Sequence, residues 1–244
     1  MPRYAWTMSH HGIRVFLTAE HPCGYFRERR AQDLLLDPHD KRVPLLYGQA
    51  LEHGFRRSGT HVYRPRCPGC RACQPLRVDV RAFAPSRGQR RCLRRNADIG
   101  DIQPLERAGE EHFALYQRYV RSRHPGGGMD QGGRHDFDAF VSARWSPTVF
   151  AELRRRGQLV AVAVTDLLED GLSAVYTFFD PDLAERSLGT LAILRQIEWA
   201  RRSGRRWLYL GFFIAGHPKM DYKRRFGPSQ VLVDGEWREA VIDG

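Results

Sequence analysis

At 244 residues, with 42% hydrophobic and 11% aromatic content, the chain is long enough to bury a substantial core and too apolar to be disordered. Lys and Arg outnumber Asp and Glu by 39 to 28, a formal charge of +11 that points towards polyanionic partners. No apolar run approaches the roughly 20 residues of a membrane helix, and the start, MPRYAWTMSHHGIRVF, does not read as a secretory signal, so a cytoplasmic protein with no membrane partner is expected.

The first hundred residues are rich in Pro, Gly and Arg. A boundary is expected near residue 105, between a Cys/Arg-rich portion (1–105) and a more regular one (106–244). His61–Pro65 and Pro75–Val80 alternate apolar and polar residues at the period of a half-buried strand. Between them, bracketed by Pro65 and Pro68, lies Cys67-x-x-Cys70-x-x-Cys73, with Cys23 upstream. This spacing suits zinc or an iron–sulfur cluster, and a reduced, packed loop is the alternative. From Phe55 to Arg95 there are twelve Arg against one acid, Asp79. A compositional bias would scatter them evenly. The helix expected from Gln89 to Asn96, preceded by Arg87, therefore carries Arg90, Arg91, Arg94 and Arg95 as a face for nucleic-acid phosphates.

Glu110–Arg123 has Phe113, Tyr116, Tyr119 and Val120 on one helical face, and the Gly-rich segment through Gly133 is expected to be a mobile loop. Asp136 is read as the cap of a short helix carrying Phe137, Phe140 and Val141. Val149–Leu153, Leu159–Asp166 and Leu172–Phe179 read as strands, Gly189–Arg202 as a helix ended by Gly204, and Arg206–Phe213 as a buried strand. This order resembles an α+β, acetyltransferase-like (GNAT) fold. There, the turn Arg186-Ser187-Leu188-Gly189 would open the long helix onto a phosphate through Arg186, Ser187 and Gly189.

Two blocks carry a closer resemblance. One runs from Gly54-Phe55-Arg56-Arg57-Ser58-Gly59 through Tyr63 to Arg77 across the Cys motif. The other is Tyr209-Leu210-Gly211-Phe212-Phe213-Ile214, then Gly216 to Lys223, closing at Phe226-Gly227-Pro228. Both resemble the arginyl-tRNA–protein transferase family, and most closely its bacterial branch, the aspartate/glutamate leucyltransferases. The resemblance implies two GNAT-like halves, the first irregular. It also implies transfer of Leu from leucyl-tRNA to proteins beginning with Asp or Glu, which marks them for degradation. Eukaryotic relatives resemble this chain with a C-G-Y-C element, whereas here Phe26 follows Cys23-Gly24-Tyr25 and one thiol of that pattern is absent.

An aminoacyl ester is already activated, so aminolysis needs neither a nucleophilic side chain nor a cofactor. It needs orientation, oxyanion stabilisation and a route for the proton. The candidates are Asp221 as base or amine anchor, Tyr209, Tyr176 and Tyr222 as phenol donors, and Lys219 and Lys223 for phosphate or the acceptor's acidic side chain. Core packing competes for the tyrosines, and a salt bridge to Lys219 or Lys223 competes for Asp221. An acidic first residue calls for an Arg fork, for which Arg56, Arg57, Arg224 and Arg225 are candidates. Three other functions remain open: an arginyl-tRNA donor, a basic zinc/RNA-binding protein without chemistry, and an acetyl-CoA-dependent acetyltransferase.

Overall fold

The computed structural model describes residues 13–123, 126 and 129–240. Residues 1–12, within the stretch read for a signal, and 124, 125, 127 and 128, within the loop read as mobile, lie outside the described residues. In chain order, β1 (Val15–Leu17), β2 (His21–Pro22), β3 (Arg30–Ala31) and β4 (Asp33–Leu36) precede α1 (Val43–Glu52). Next come β5 (Arg56–Ser58), β6 (His61–Pro65), β7 (Gln74–Asp79), α2 (Arg87–Arg95), β8 (Gln103–Leu105), α3 (Glu110–Arg123) and α4 (Arg134–Val141). The meander β9 (Thr148–Arg155), β10 (Gln158–Leu167) and β11 (Gly171–Phe179) follows. It leads into α5 (Leu188–Arg202), β12 (Trp207–Phe213), β13 (Ser229–Val233) and β14 (Glu236–Glu239).

The larger sheet has the order β14-β13-β7-β12-β11-β10-β9-β8; a smaller one has the order β1-β4-β6-β5. Two strands from the first 105 residues, β7 and β8, thus belong to the larger sheet. Every residue of β10 from Leu159 to Asp166 is buried, because both faces of the sheet are covered. Val160, Ala161 and Ala163 cluster with Leu188, Leu191, Leu194 and Ile197 of α5. Leu159, Val162 and Val164 cluster with Leu115, Tyr116 and Val120 of α3 and with Phe137 and Val141 of α4. Each such Leu or Ile contributes roughly 1.5–3 kcal/mol through burial. In α4 the cap position belongs to Gly133; Asp136 sits one turn inside, and its carboxylate accepts the Gly133 N–H at 2.8 Å.

A third cluster joins α1 and the smaller sheet to Trp207 and Tyr209 of β12. Its polar counterpart is fully buried. Arg57 donates from Nε to Asp166 Oδ2 at 2.6 Å and from Nη2 to Oδ1 at 2.7 Å, while Tyr47 and Thr148 hydroxyls donate to the same carboxylate. Arg57, expected to bind the acceptor, is therefore a structural residue with 0% side-chain exposure. Asp166→Asn would leave its charge buried without a counter-ion, so unfolding stability should drop by about 3–5 kcal/mol in urea melts. Arg57→Met combined with Asp166→Leu should recover much of the loss. An unchanged midpoint for Asp166→Asn would deny this pair its role in holding α1 and β5 against β10.

Candidate active site

β11 and β12 run parallel but pair only from Gly171–Trp207 to Ser173–Tyr209. Beyond that point they part. Val175 is the extra residue where the β10–β11 register shifts, so its carbonyl is released from the ladder. It accepts a hydrogen bond from Arg56 Nη2. On the other bank, the β12–β7 register skips Leu210 and resumes at Gly211, whose φ is +72° and where a side chain would collide with the Arg56 guanidinium. Glycine thus makes room for an arginine between two diverging strands.

Arg56 is half-buried, and the ion pairs of the described residues assign it no carboxylate. Its charge is felt by Tyr25, Tyr63, Tyr222 and Lys223. Burial raises the first three phenols, Tyr25 to about 12, so all remain protonated donors. Lys223, expected among the catalytic residues, is buried on the turn Asp221–Arg225 and donates from Nζ to the Phe212 carbonyl at 2.5 Å. Burial first, and Arg56 second, hold its amine well below the ordinary lysine range. Tyr222 is 40% exposed at the same place.

An aromatic line connects this pocket to the start of α5. Tyr222 lies within electrostatic reach of Tyr119, whose ring packs 6.3 Å from Tyr176 and 4.9 Å from Phe179. Phe179 touches the position of Gly189, where an added Cβ would lie 3.3 Å from its ring. The Tyr176 hydroxyl is buried with no hydrogen-bond partner among the described residues, and burial raises its pKa. At the helix start Ser187 adopts a left-handed conformation (φ 57°) and caps no N–H with its side chain. α2 is seated on this entry: Asn96 Nδ2 donates to the Arg186 carbonyl at 2.9 Å, and Cys92 Sγ lies 3.8 Å from the Ser187 carbonyl. Arg87, Arg90, Arg91, Arg94 and Arg95 are all exposed on the helix, which is fixed by a Ser86–Gln89 capping box and contains no acid.

Other expected residues are engaged elsewhere. Arg186 pairs with Asp98 at 2.7 Å, and that bond with Arg155 holds the carboxyl well below its usual range. Asp221 accepts the Gly216 N–H at 2.8 Å and pairs with Arg224 at 2.9 Å, so the two close the loop on one another. Tyr209 is buried in the third cluster, 6.1 Å from Trp237, with Arg77 close to its phenol. Arg77 is itself sandwiched between Trp207 and Trp237 at 3.8 and 4.2 Å. Lys219 is exposed. Sequence reasoning missed Tyr25, Tyr63 and Tyr119 as site residues, although Tyr25 adjoins Cys23 and Tyr63 lies inside the first block.

The four thiols share one region, since Cys73 is raised to about 12 by burial and by the charges of Cys23, Cys67 and Cys70. Each nevertheless has other business. The Tyr25 N–H points to Cys23 Sγ, Cys67 Sγ to the Gln32 carbonyl, and Arg29 Nη1 to Cys70 Sγ. Among the described residues no group of three or more His, Cys, Asp or Glu is arranged to hold a metal ion. The loop instead supports the pocket, with Cys73 packing with Phe212, Ile214, Met220, Tyr25 and Tyr63.

Among the described residues, no helix is long and apolar enough to cross a membrane. Residues 21–91 match the family model described as arginine-tRNA-protein transferase, N terminus, and residues 111–233 its C-terminal counterpart. An aspartate/glutamate leucyltransferase of Stenotrophomonas maltophilia (strain K279a) is 54% identical over 93% of each chain. The protein of that name from Xylella fastidiosa (strain 9a5c) is 52% identical over 94% of this chain and 92% of its own. That from Xanthomonas campestris pv. campestris (strain B100) is 54% identical over 94% of each.

Proposed function

This chain belongs to the arginine-tRNA-protein transferase family, and from that premise we propose that it moves leucine from leucyl-tRNA to the amino terminus of proteins beginning with aspartate or glutamate. The observation that carries the reading is Arg56, a half-buried guanidinium with no carboxylate partner among the described residues, set beside the buried amine of Lys223 where β11 and β12 part. An acceptor's first side chain supplies the missing carboxylate, and Arg56 grips it through the fork it does not spend on Val175.

The acceptor amine enters as the free base, a usable fraction near neutral pH for a group of pKa about 7.7–8.0. Its nitrogen attacks the ester carbonyl and forms the C–N bond. Lys223 takes the proton the nitrogen sheds and returns it to the ribose oxygen as the C–O bond breaks. Leucyl-protein and free tRNA leave. In this reading Tyr222 and Tyr176 donate to the oxyanion or the ribose, and no nucleotide or metal is required by any step. The donor's phosphates lie along the five exposed arginines of α2 and reach the start of α5 at Gly189, beside the left-handed Ser187 whose own N–H is held by the Ala184 carbonyl. A GNAT-type reading of the second half is supported by the β9–β11 meander, α5 and the parallel, splayed β12; the small four-stranded sheet would be the core of the irregular first half. Such an enzyme would act in the cytoplasm, where its charged tRNA is found.

The test is to supply labelled leucyl-tRNA, arginyl-tRNA or acetyl-CoA together with an Asp-starting peptide. Label should reach the peptide from leucyl-tRNA alone. Transfer only from arginyl-tRNA would move the donor to the other branch, and transfer only from acetyl-CoA would overturn the reading.

A further inference from the structure

Next to the acceptor pocket lies a groove of about 770 Å³ that the reaction as described leaves unused. Cys73 and Phe212 line it, and both also stand against Lys223: the Phe212 carbonyl accepts its Nζ, and Cys73 interacts with its charge. The groove runs outward between the Cys loop and the β13–β14 hairpin, and its walls carry His53, Arg64, Arg66 and Arg71. Arg64 lies 5.1 Å over the Phe55 ring and donates to the His53 carbonyl at 2.9 Å. Neither Arg64 nor Arg66 has a carboxylate partner among the described residues. Arg71 reaches Asp234 only at 3.4 Å, with both side chains largely in solvent. The groove is thus a cationic channel whose inner end abuts the amine-activating lysine.

Donor and acceptor must occupy the cleft together. The phosphate-facing start of α5 approaches Arg56 along the line Gly189, Phe179, Tyr119 and Tyr222. The acceptor polypeptide therefore needs another way out, and the groove offers one on the Phe212 and Cys73 side of Lys223. An Asp among its arginines suits a peptide better than a phosphate chain. We infer that this groove receives the residues that follow the acceptor's first one, and that its arginines select acidic side chains at those positions. The inference rests on the reading of leucine transfer given above.

Three peptides that begin with Asp and carry Ala, Glu or Lys at positions two to four test it, with leucyl-tRNA saturating. In the full-length enzyme kcat/KM should fall in the order Glu, Ala, Lys, with the extremes apart on the order of tenfold at low salt and converging as salt screens them. The double variant Arg66→Glu, Arg71→Glu should reverse the order, each enzyme being normalised to its own Ala peptide. Equal values for all three peptides with the wild type would overturn the inference. So would a double variant that keeps the wild-type order while the KM for leucyl-tRNA rises, since the groove would then belong to the RNA. If none of the Asp peptides accepts leucine, the reading of the reaction falls and this inference falls with it.

Discussion

Arg56→Met should abolish the preference for an acidic first residue. Truncating one partner of a largely desolvated charge pair costs about 2–4 kcal/mol, so kcat/KM for an Asp-starting peptide should drop roughly 30- to 1,000-fold. The same peptide starting with Asn, which offers no charge to Arg56, should change little. The ratio between the two is the quantity to measure, because it is insensitive to loss of active protein. Arg56→Lys should restore only part of it. A lysine brings the charge but has one donor centre, which cannot hold the Val175 carbonyl and a carboxylate in the fork geometry of a guanidinium. An Arg56→Met enzyme that still favoured Asp over Asn tenfold would place carboxylate recognition elsewhere.

The neighbouring arginine shows why this assignment needed coordinates. Arg56 and Arg57 are adjacent in a strand, and strand geometry alone sends their side chains to opposite faces. Which face holds the buried Asp166 and which the open cleft depends on β10 and β11, more than a hundred residues away. The same limit applies at Asp221 and Arg224. Their spacing predicts an ion pair as readily as two separate site residues, and only the turn shows that they satisfy one another. Periodicity, by contrast, located β9 to β12, α3 and α5 to within a few residues, since long apolar patterns are decided locally. α1 was missed although Pro44 opens it, because Gly48 and scattered apolar residues blur its pattern. The β13–β14 hairpin was missed although Asp234-Gly235, both at positive φ, is a strong turn signal. The Cys motif was legible as a cluster, but not as a packed wall of the pocket, since spacing says nothing of the Gln32 and Arg29 partners that engage its thiols.

Lys223→Met should slow transfer and stabilise the protein at the same time. As the proton carrier Lys223 is worth a factor of about 10²–10⁴ in kcat, and the methionine fills the same volume without one. The stability effect has the opposite sign for a physical reason. The folded-state pKa of this lysine lies below its unfolded value of about 10.4, so the unfolded chain binds more protons between the two. Wild-type stability is therefore eroded as pH falls from the unfolded value towards the folded one, and below that the loss is constant. Methionine takes up no proton and escapes the loss. Melts of the two proteins should coincide above the ordinary lysine range and separate in favour of the variant as pH falls. The kcat profile should move in parallel: wild-type kcat climbs with pH as the buried amine becomes neutral, and that limb should vanish in the variant. A variant with kcat within threefold of wild type would remove Lys223 from the chemistry, whereas a slow variant that also melts earlier at neutral pH would show a residue needed for the fold.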